Sequence, residues 1–382
     1  MKIVYYSKPY FADCDFPLIK ELRRQGHTVI YILVITPDSL KSTLFNIEQQ
    51  YSQYGIFTPD IYYDELSLYS SFMELNDMYI LNKPLSRRGI IEKIKFIFQL
   101  RKFIKAFNAD YIWTTLPFDV GELPLYSLKN VILTVHDPFP HSGEYQFRKS
   151  VLKALALRMC KKFILLNKTQ EELFSKSYHI DKFSILVNQL GTYDCIKLFL
   201  KEKSTELFPY ILFYGRISPY KGIEYLLEAF KKVHDNYPGL NLLIAGSGQL
   251  YFDYTPYADL NYIKLKNRYI SMEETANLFN NSLFIVCPYT DATQSGVVMT
   301  AYTMGKVVLG TRVGALEETI INNETGLIVE PCNVDELYKA IIKLISDEKL
   351  LSKMENNIKM KYSNGNASWA SIVDKYISFL NK

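Results

Sequence analysis

The sequence predicts an α/β protein with two domains, each a parallel sheet flanked by helices. Short apolar runs that suit buried strands alternate with amphipathic helical stripes along most of the chain. The chain opens with one such unit: a strand at Lys2–Tyr6, a helix at Phe16–Gln25 and a strand at Thr28–Ile35. Its 382 residues exceed the size at which a single core keeps growing, so we expect two domains.

Composition is that of an ordinary globular protein and excludes several functional classes. Hydrophobic residues make up 48% and charged residues 22%, and the net charge of +4 gives no case for a nucleic-acid binder. The five cysteines are scattered, with no CxxC pair or Cys/His cluster, which indicates neither a disulfide framework nor a zinc site. The N-terminal stretch MKIVYYSKPYF turns polar too early for a signal peptide, and no run of about 18 apolar residues occurs. We therefore expect a cytoplasmic protein that can also contact the inner face of the membrane.

The remaining elements of the first half follow the same alternation. Residues 36–85 give no firm assignment, although Ile61–Tyr63 and Met78–Leu81 could pair as strands. The loop Ser7–Asp15 after the first strand lacks the G-x-G-x-x-G pattern of a dinucleotide site. The later elements are strands at Asp110–Thr114, Asn130–Val135, Phe163–Leu166 and Ser184–Val187, with helices at Phe147–Cys160 and from Thr169. The segment Asn188–Glu206 has no strong period, and we expect the interdomain linker there.

The segment Arg87–Phe107 predicts a strongly basic amphipathic helix. It carries seven cations against the single acid Glu92, with isoleucines and phenylalanines on the apolar side. Such a helix can lie on an anionic membrane surface. It can equally flank the sheet with its charges in water, although seven cations in one helix exceed the usual mixed-sign surface. Both interpretations stay open, and peripheral membrane contact is one partner that we expect.

The strand Asn130–Val135 ends in a loop rich in groups that bind ligands. Two histidines and two acids follow within nine residues: His136, Asp137, His141 and Glu144. Ligands of open α/β sheets bind outside the carboxyl ends of the strands, so this loop is suited to contact a substrate. A histidine after a strand is also commonly a hydrogen-bonded structural residue, and the sequence leaves that alternative open.

The stretch LFYGRISPYKG organises the second half. A strand at Tyr210–Tyr214 stops at Gly215, and Arg216 and Lys221 follow before a helix over Gly222–Asn236. Free backbone N–H groups at a helix start, together with two cations, form a cradle for an anion. We expect a phosphate or diphosphate there. The alternative is that both cations are solvated loop charges.

Further strand–turn–helix units complete the second half. Gly246-Ser247-Gly248 resembles the start of a dinucleotide fingerprint but has no third glycine, so it does not predict an NAD site. Ser271 and Glu274 have the spacing of a capping box, at the start of a helix that runs to about Asn280. The other elements are strands at Leu240–Ala245, Ile263–Leu265, Leu283–Cys287, Lys306–Gly310 and within Asn323–Val329, and helices at Val297–Gly305 and Asp335–Ser346.

Taken together, these motifs resemble those of the retaining glycosyltransferases of family 4. YGRISPYKG, GSGQL, NRYISMEE, PYTDATQSGVVMTAYTMGK, GALEE and NETGLIV occur in the family's order and spacing over almost all of residues 205–345, and HDPFPHSGE is the best anchor in the first half. The resemblance implies the GT-B architecture, in which two Rossmann-like domains face each other across a cleft. It implies an acceptor-binding domain at 1–190, a nucleotide-sugar-binding domain at 191–365, and a C-terminal helix at 366–382 that returns to the first domain.

The resemblance also implies roles for single residues. Arg216 and Lys221 match the pair that holds the donor's diphosphate, and His136 matches the histidine that contacts the donor sugar across the cleft. These three are the expected catalytic residues. The implied donor-binding residues also include Gly215 and Thr300. Arg268 and Tyr269 match the segment near the nucleotide base. The turn that binds phosphate through its backbone N–H groups is matched by Gln294, Ser295, Gly296 and Val297. Further candidate contacts of the donor sugar are Asp137, His141 and Asp291.

Two departures from the family pattern bear on the site. Most members have two glutamates, E-x7-E, spanning the phosphate-binding turn, where this chain has Ala292 and Thr300. Thr300 offers one hydroxyl where a carboxylate accepts two hydrogen bonds, and Asp291 could replace the missing acid. The ATQSGV form looks like a recurring subgroup of the family. The glycine-rich first loop of many members is also absent.

The activity that the resemblance implies is transfer of a sugar from a nucleotide-diphosphate sugar to a glycan or lipid-linked acceptor, with retention of configuration, in bacterial surface polysaccharide synthesis. No metal or other cofactor is expected, because Arg216, Lys221 and the helix start at Gln294–Val297 would take a metal's place. The alternatives are a nucleotide-sugar epimerase and a non-catalytic nucleotide-sugar-binding partner of another transferase. A nucleic-acid partner is not expected.

Overall fold

The computed structural model describes residues 1–42, 44–85, 90–117, 120–136, 138–139, 147–200, 208–292 and 294–381. The chain divides into two units, Met1–Gly191 with Trp369–Lys382, and Thr192–Ser368. Each unit contains one mostly parallel sheet with helices packed around it. The predicted α/β class with two parallel-sheet units is therefore confirmed.

The first unit is built on an eight-stranded sheet. Its strands are β1 (Lys2–Ser7), β2 (Thr28–Ile35), β3 (Gly55–Phe57), β4 (Met78–Asn82), β5 (Tyr111–Thr115), β6 (Val131–Val135), β7 (Lys162–Leu165) and β8 (Ile185–Val187), and its helices are α1 (Ala12–Arg24), α2 (Tyr63–Leu66), α3 (Ile90–Ala106), α4 (Leu123–Tyr126), α5 (Phe147–Met159) and α6 (Glu171–Tyr178). The described strands pair in the order β3-β4-β2-β1-β5-β6-β7-β8. Neighbours are parallel except for β3, which is antiparallel to β4.

Helix α3 covers one face of this sheet. Phe96, Leu100 and Ile104, spaced four apart, are buried in the core beneath it. Because neighbouring parallel strands share a direction, the carboxyl ends of β1 and β6 lie at one edge of the sheet. That edge carries the turn Pro9–Phe11 after β1 and His136 after β6.

The second unit is built on a six-stranded parallel sheet. Its strands are β9 (Tyr210–Tyr214), β10 (Asn241–Gly246), β11 (Ile263–Asn267), β12 (Ile285–Cys287), β13 (Val308–Thr311) and β14 (Gly326–Val329), and its helices are α7 (Ile223–Asn236), α8 (Met272–Asn281), α9 (Gly296–Thr303), α10 (Leu316–Thr319), α11 (Val334–Ser346) and α12 (Glu348–Ser363). The strand order is β11-β10-β9-β12-β13-β14. The order therefore reverses between β9 and β12, which makes their carboxyl ends the switch point where ligands of open sheets bind.

The last helix, α13 (Trp369–Leu380), belongs to the first unit and packs on α1. Lys162 Nζ donates to the carbonyls of Phe379 (3.0 Å) and Leu380 (3.4 Å), and the Tyr111 hydroxyl donates to the Leu380 carbonyl (2.5 Å). A helix end leaves its last carbonyls without intrahelical partners, so these bonds fix the end of α13 to β5 and β7.

Some predicted elements differ from the structure. Ile61–Tyr63 is not a strand: Pro59–Tyr62 form a 3-10 turn that leads into α2, because proline holds its φ near about −65° and suits the first turn of a helix. Helix α1 begins at Ala12 rather than at Phe16, with two aspartates in its first turn, where acids stabilise the positive end of the helix dipole. Helix α12 was not among the predicted elements.

The predicted linker and the basic helix are only partly described. The boundary between the two units falls after Gly191, within the segment Asn188–Glu206, and a 3-10 helix at Asp194–Phe199 then packs into the second unit with Cys195 buried. The basic helix is present as α3, while Arg87 and Arg88 lie outside the described residues. Among the helices of the described ranges, none combines the length and apolarity that crossing a bilayer requires.

The anchoring of α13 predicts a measurable contribution to stability. Replacing Lys162 by Met and Tyr111 by Phe keeps both apolar bodies but removes the donors to the helix end. We expect the double variant to lower the free energy of unfolding by about 2 kcal/mol, because the terminal carbonyls lose their partners in a half-buried site. Urea denaturation measures this, with the exposed Lys182→Met as control. Equal stability of the double variant and the wild type would contradict the assignment.

Candidate functional site

The site lies at the carboxyl edge of the second sheet, where the loops after β9 and β10 pack backbone against backbone. The Gly215 amide donates to the Ala245 carbonyl (3.0 Å) and the Ile217 amide to the Ser247 carbonyl (3.0 Å). A Cβ at Gly246, whose φ is +149°, would fall 1.9 Å from the Gly215 carbonyl oxygen. The glycines of the GSG motif thus permit a close approach of two loops, a role other than dinucleotide binding.

The turn that carries Lys221 is fixed in the same way to the loop after β12. Gly222 has φ +62°, and a Cβ there would lie 2.1 Å from the Pro288 carbonyl oxygen. The Thr290 amide donates to the Tyr220 carbonyl (2.8 Å). Only glycine fits at the start of α7, so the turn before it has one position relative to β12.

Lys221 is buried by this arrangement, at 8% exposure. Its ammonium lies 3.6 Å from the centre of the Tyr289 ring, a cation–π contact. The pKa of Lys221 is lowered to about 8, mainly by burial and to a lesser extent by the nearby positive charge of Arg216. Arg216 itself is exposed. The alternative of two solvated loop charges is therefore wrong for Lys221.

The start of α9 lies beside this cation. Ser295 is the N-cap residue, but its side chain makes no capping bond. The Tyr289 hydroxyl is 3.5 Å from Ser295 Oγ, so the ring that contacts Lys221 also reaches the helix start. A Cβ at Gly215 would lie 3.7 Å from Val297 Cγ2, which brings the end of β9 against α9. The side-chain nitrogen Nε2 of Gln294 is buried and finds no hydrogen-bond partner among the described residues.

Ala292 and Thr300, which stand where most family members have glutamate, offer few hydrogen-bonding groups to a ligand. Ala292 is 5% exposed, and its carbonyl oxygen is only 1.6 Å from where a Cβ of Gly314 would stand. The Thr300 hydroxyl donates to the Gly296 carbonyl (2.9 Å), so it is already engaged within α9. Asp291 is half-buried in the loop before them.

Arg268 follows β11 and is bonded to Glu274. The guanidinium makes two parallel bonds to that carboxylate (2.7 and 2.8 Å), and Lys266 adds a third (3.1 Å). The predicted capping box is therefore half formed: Ser271 Oγ accepts from the Glu274 amide (3.2 Å), but the Glu274 carboxylate binds cations instead. Tyr269 is exposed beside this pair.

Backbone bonds connect Arg268 to the rest of the edge. Its amide donates to the Gly246 carbonyl (3.0 Å), while the Asn267 side chain accepts from the Gly248 amide (3.1 Å). The loops after β9, β10 and β11 therefore form one continuous surface.

His136 belongs to the first unit, at the carboxyl end of β6. Its ring stacks on Phe11, with centroids 4.2 Å apart and planes inclined by 16°. Phe11 ends the 3-10 turn that stands in place of a glycine-rich first loop. Asp137 and His141, the other candidates in this loop, lie outside the described residues, as does Glu144.

The structure thus brings together Gly215, Lys221 and the turn Ser295–Val297, with Arg268 on the same edge. Sequence reasoning did not identify the roles of two tyrosines. Tyr289 is the second residue after β12, and that place near a strand end was a usable signal. Tyr193 stands in the predicted linker, yet a Cβ at Gly296 would lie 2.9 Å from its ring, so it covers the start of α9. Within the described ranges, no group of three or more His, Cys, Asp or Glu side chains could hold a metal ion.

Comparison with known proteins finds glycosyltransferases among the relatives of this chain. A 25% identical stretch of 271 residues, 69% of this chain, matches 74% of an uncharacterized glycosyltransferase of Haemophilus influenzae. The capsular polysaccharide biosynthesis glycosyltransferase CapM of Staphylococcus aureus is 28% identical over 44% of this chain and 46% of its own length. An uncharacterized glycosyltransferase of Methanocaldococcus jannaschii is 30% identical over 39% of this chain and 41% of its own length. The chain thus spans less than half the length of the last two relatives.

Solved structures share the whole fold at low identity. Sucrose-phosphate synthase from Thermosynechococcus elongatus has a TM-score of 0.66 and 16% identity, covering 100% of this chain and 98% of that one. Anabaena HepE in complex with UDP-glucose has a TM-score of 0.65 and 14% identity, covering 100% and 98%. The UDP-GlcNAc 2-epimerase of Neisseria meningitidis has a TM-score of 0.59 and 14% identity, with both chains fully covered. These likenesses confirm the GT-B type of fold.

The family model for Glycosyl transferases group 1 matches residues 197–361, which include Arg216, Lys221, Arg268 and the start of α9. Together with the glycosyltransferase relatives, this match identifies residues 197–361 as a Glycosyl transferases group 1 domain.

Proposed function

We propose that the protein is a glycosyltransferase that moves a sugar from a nucleoside-diphosphate sugar to a glycan or lipid-linked acceptor, with retention of configuration. The observation that carries the proposal is the buried Lys221 ammonium beside Arg216 and the start of α9. The named activity of CapM favours surface polysaccharide synthesis as the setting. The complex of HepE with UDP-glucose favours a nucleotide sugar as donor.

The diphosphate is held by positive charge that exists before it arrives. The ammonium of Lys221 has lost most of its water, so an entering phosphate replaces little hydration and gains a charge-assisted bond. Arg216, being exposed, can close on the outer oxygens. The first amides of α9 and the positive end of its dipole add a third source of stabilisation.

Transfer then breaks the bond between the sugar's anomeric carbon and the diphosphate oxygen. Lys221, Arg216 and the α9 start stabilise the charge that develops on the leaving diphosphate, which is where preorganised groups lower a barrier most. The acceptor hydroxyl attacks from the same face, and its proton passes to the leaving phosphate oxygen. This front-face course retains the configuration and requires no protein carboxylate as nucleophile.

The donor's ribose and sugar are held differently from the glutamate pattern of the wider family. The Thr300 hydroxyl donates within its own helix, so only its oxygen lone pairs are left to accept from ribose. The side-chain amide nitrogen of Gln294, which finds no partner among the described residues, is a donor available to the sugar or phosphate. We propose Asp291 as the acid that partly replaces the missing carboxylates, and Arg268 with Tyr269 as the contacts to the base.

A nucleotide-sugar epimerase is the second candidate, favoured by the shared fold of the Neisseria enzyme. An epimerase acts on the nucleotide sugar without an acceptor, and a non-catalytic binding partner would leave the donor unchanged. Incubating the protein with each donor alone and following the sugar by NMR separates the three functions. Conversion to an epimer would contradict the transferase proposal.

The cradle predicts which ligands bind and which variants fail. In a panel of UDP-, GDP- and ADP-sugars, one base class should raise the melting temperature, because a ligand at about 100 times its Kd stabilises by about 2.7 kcal/mol. Lys221→Ala and Arg216→Ala should each lower the transfer rate with that donor by several hundred-fold, or about 3 kcal/mol of barrier.

The control for these variants is Lys349→Ala, which removes an exposed lysine of the same unit. It should keep both the thermal shift and the rate. If Lys221→Ala and Arg216→Ala folded normally and turned over like the wild type, the diphosphate assignment would be wrong.

The lowered pKa of Lys221 predicts that donor binding depends on pH. A lysine with a pKa of about 8 is mostly neutral at higher pH, and a bound diphosphate favours the charged form. Affinity for nucleoside diphosphate should therefore fall about tenfold between about pH 7 and pH 9, with proton uptake on binding above pH 8. Calorimetric titration in buffers of different ionisation heat measures both. Lys221→Met should bind weakly without this pH dependence, and an unchanged pH profile in that variant would refute the linkage.

The Phe11–His136 stack predicts a graded series if His136 contacts the donor sugar. His136→Ala should lower kcat about 100-fold with a small change in donor KM. Phe11→Leu should lower kcat about tenfold, because the imidazole loses the ring that fixes its plane, whereas Phe11→Tyr should retain activity. The ring resonances of His136 in NMR report the stack directly, and Phe183→Leu, an exposed site of the same unit, is the control.

Two outcomes of this series separate the role of His136 in catalysis from the role of Phe11 in positioning it. Wild-type turnover in His136→Ala would remove His136 from the mechanism without touching the diphosphate site. A loss in His136→Ala with none in Phe11→Leu would show that the stack does not position the histidine.

A further inference from the structure

The outward face of α3 combines apolar and cationic side chains. Phe98 is 66% exposed and Ile94 is 47% exposed, one helical turn apart. Lys95, Lys102 and Lys105 are exposed as well. At about 100° per residue, these five side chains fall on an arc of about 100° around the helix axis. We name them the α3 face.

The exposure of this face is not a failure of packing, because the helix is anchored by its other side. Phe96, Leu100 and Ile104 are buried against the sheet. Phe96 makes an edge contact with Tyr54 at 4.6 Å between ring centres. Arg101 is turned toward α4, where its guanidinium donates to Ser127 Oγ (2.5 Å). The lysines of the α3 face are therefore a set separate from the arginine that holds the helix in place.

Two neighbouring exposed apolar side chains flanked by lysines offer an apolar area that a partner can remove from water. The occupant must offer apolar volume to Phe98 and Ile94 and negative charge to three lysines around them. A bilayer with anionic headgroups offers both, since a helix lying in the interface buries its apolar residues among acyl chains and keeps its lysines at the phosphates. We propose that the α3 face is the docking surface of this protein on an anionic membrane.

The proposal adds a location, the membrane surface, to the proposed function. It rests on that function only in explaining why the protein would dock on a membrane. A transferase with a lipid-linked acceptor must work at a bilayer, and a reversible interfacial contact holds it there. Docking itself involves residues of the first unit and none of the donor-binding residues of the second unit. Vesicle binding can therefore be measured without donor or acceptor, and its failure would leave the diphosphate site untouched.

Co-sedimentation of the full chain with vesicles tests the docking surface. Binding should be strong to phosphatidylcholine vesicles with about one third phosphatidylglycerol, weak to phosphatidylcholine alone, and reduced at least tenfold between about 0.05 M and 0.5 M NaCl. The triple variant Lys95→Gln, Lys102→Gln, Lys105→Gln should lower binding about 100-fold, since each lysine near the surface contributes roughly a factor of five. The double variant Ile94→Ser, Phe98→Ser should lower it at least tenfold.

Matched controls are available on another part of the same unit. Lys161, Lys182 and Lys375 are exposed, and changing all three to Gln removes the same charge. Phe183, at 93% exposure, serves as the apolar control through Phe183→Ser. All variants alter exposed side chains, and melting temperatures verify that they fold.

Three results would overturn the proposal. The first is wild-type vesicle binding by the α3-face variants. The second is an equal loss in the control variants, which would mean that net charge alone drives binding. The third is tighter binding to a short DNA duplex than to anionic vesicles, which would assign the α3 face to nucleic acid.

Discussion

The site depends on backbone contacts between loops that only glycine allows. At Gly222, Gly246, Gly248 and Gly314, a Cβ would stand between 1.6 and 2.3 Å from a carbonyl oxygen of a neighbouring loop. These contacts join the loops after β9, β10, β12 and β13 into one rigid edge. Because the loops cannot move apart without losing them, the side chains that they carry have fixed positions before any ligand binds.

Rigidity explains why Lys221 can be buried although no carboxylate of the described residues forms an ion pair with it. Desolvation of a lone ammonium is unfavourable, and the lowered pKa of Lys221 is the signature of that strain. The Tyr289 ring compensates part of it through its π face. An entering anion compensates the remaining desolvation of the ammonium. The burial of Lys221 therefore destabilises the free protein but strengthens binding of the diphosphate. Functional sites commonly store strain in this manner.

Sequence patterns predicted the elements that local chemistry determines. The strand Tyr210–Tyr214 has the predicted bounds, and the following helix starts one residue after Gly222. Apolar periodicity and a glycine stop define both, and neither requires knowledge of distant residues. The proposed cradle of Arg216 and Lys221 could be formulated from sequence for the same reason, since both cations lie within the strand–turn–helix unit itself.

Features that depend on distant contacts were not predictable. Nothing local to Tyr193 indicates that its ring covers Gly296, about 100 residues later in the chain. The spacing of Ser271 and Glu274 fits a capping box, but Arg268 and Lys266 compete for the carboxylate and bind it. The stack of Phe11 on His136 joins two loops that only the strand order β1-β5-β6 brings to one edge. The sequence resemblance supplied candidate roles, while the structure supplied the burial of Lys221 and the engagement of Thr300.

The most direct measurement is a crystal structure of the protein soaked with the nucleoside diphosphate that its donor panel selects. We expect phosphate oxygens within about 3 Å of Lys221 Nζ, of the Arg216 guanidinium and of the first amides of α9. A diphosphate bound elsewhere, or bound here with both cations directed away from it, would contradict the assignment of Lys221 and Arg216 as its ligands.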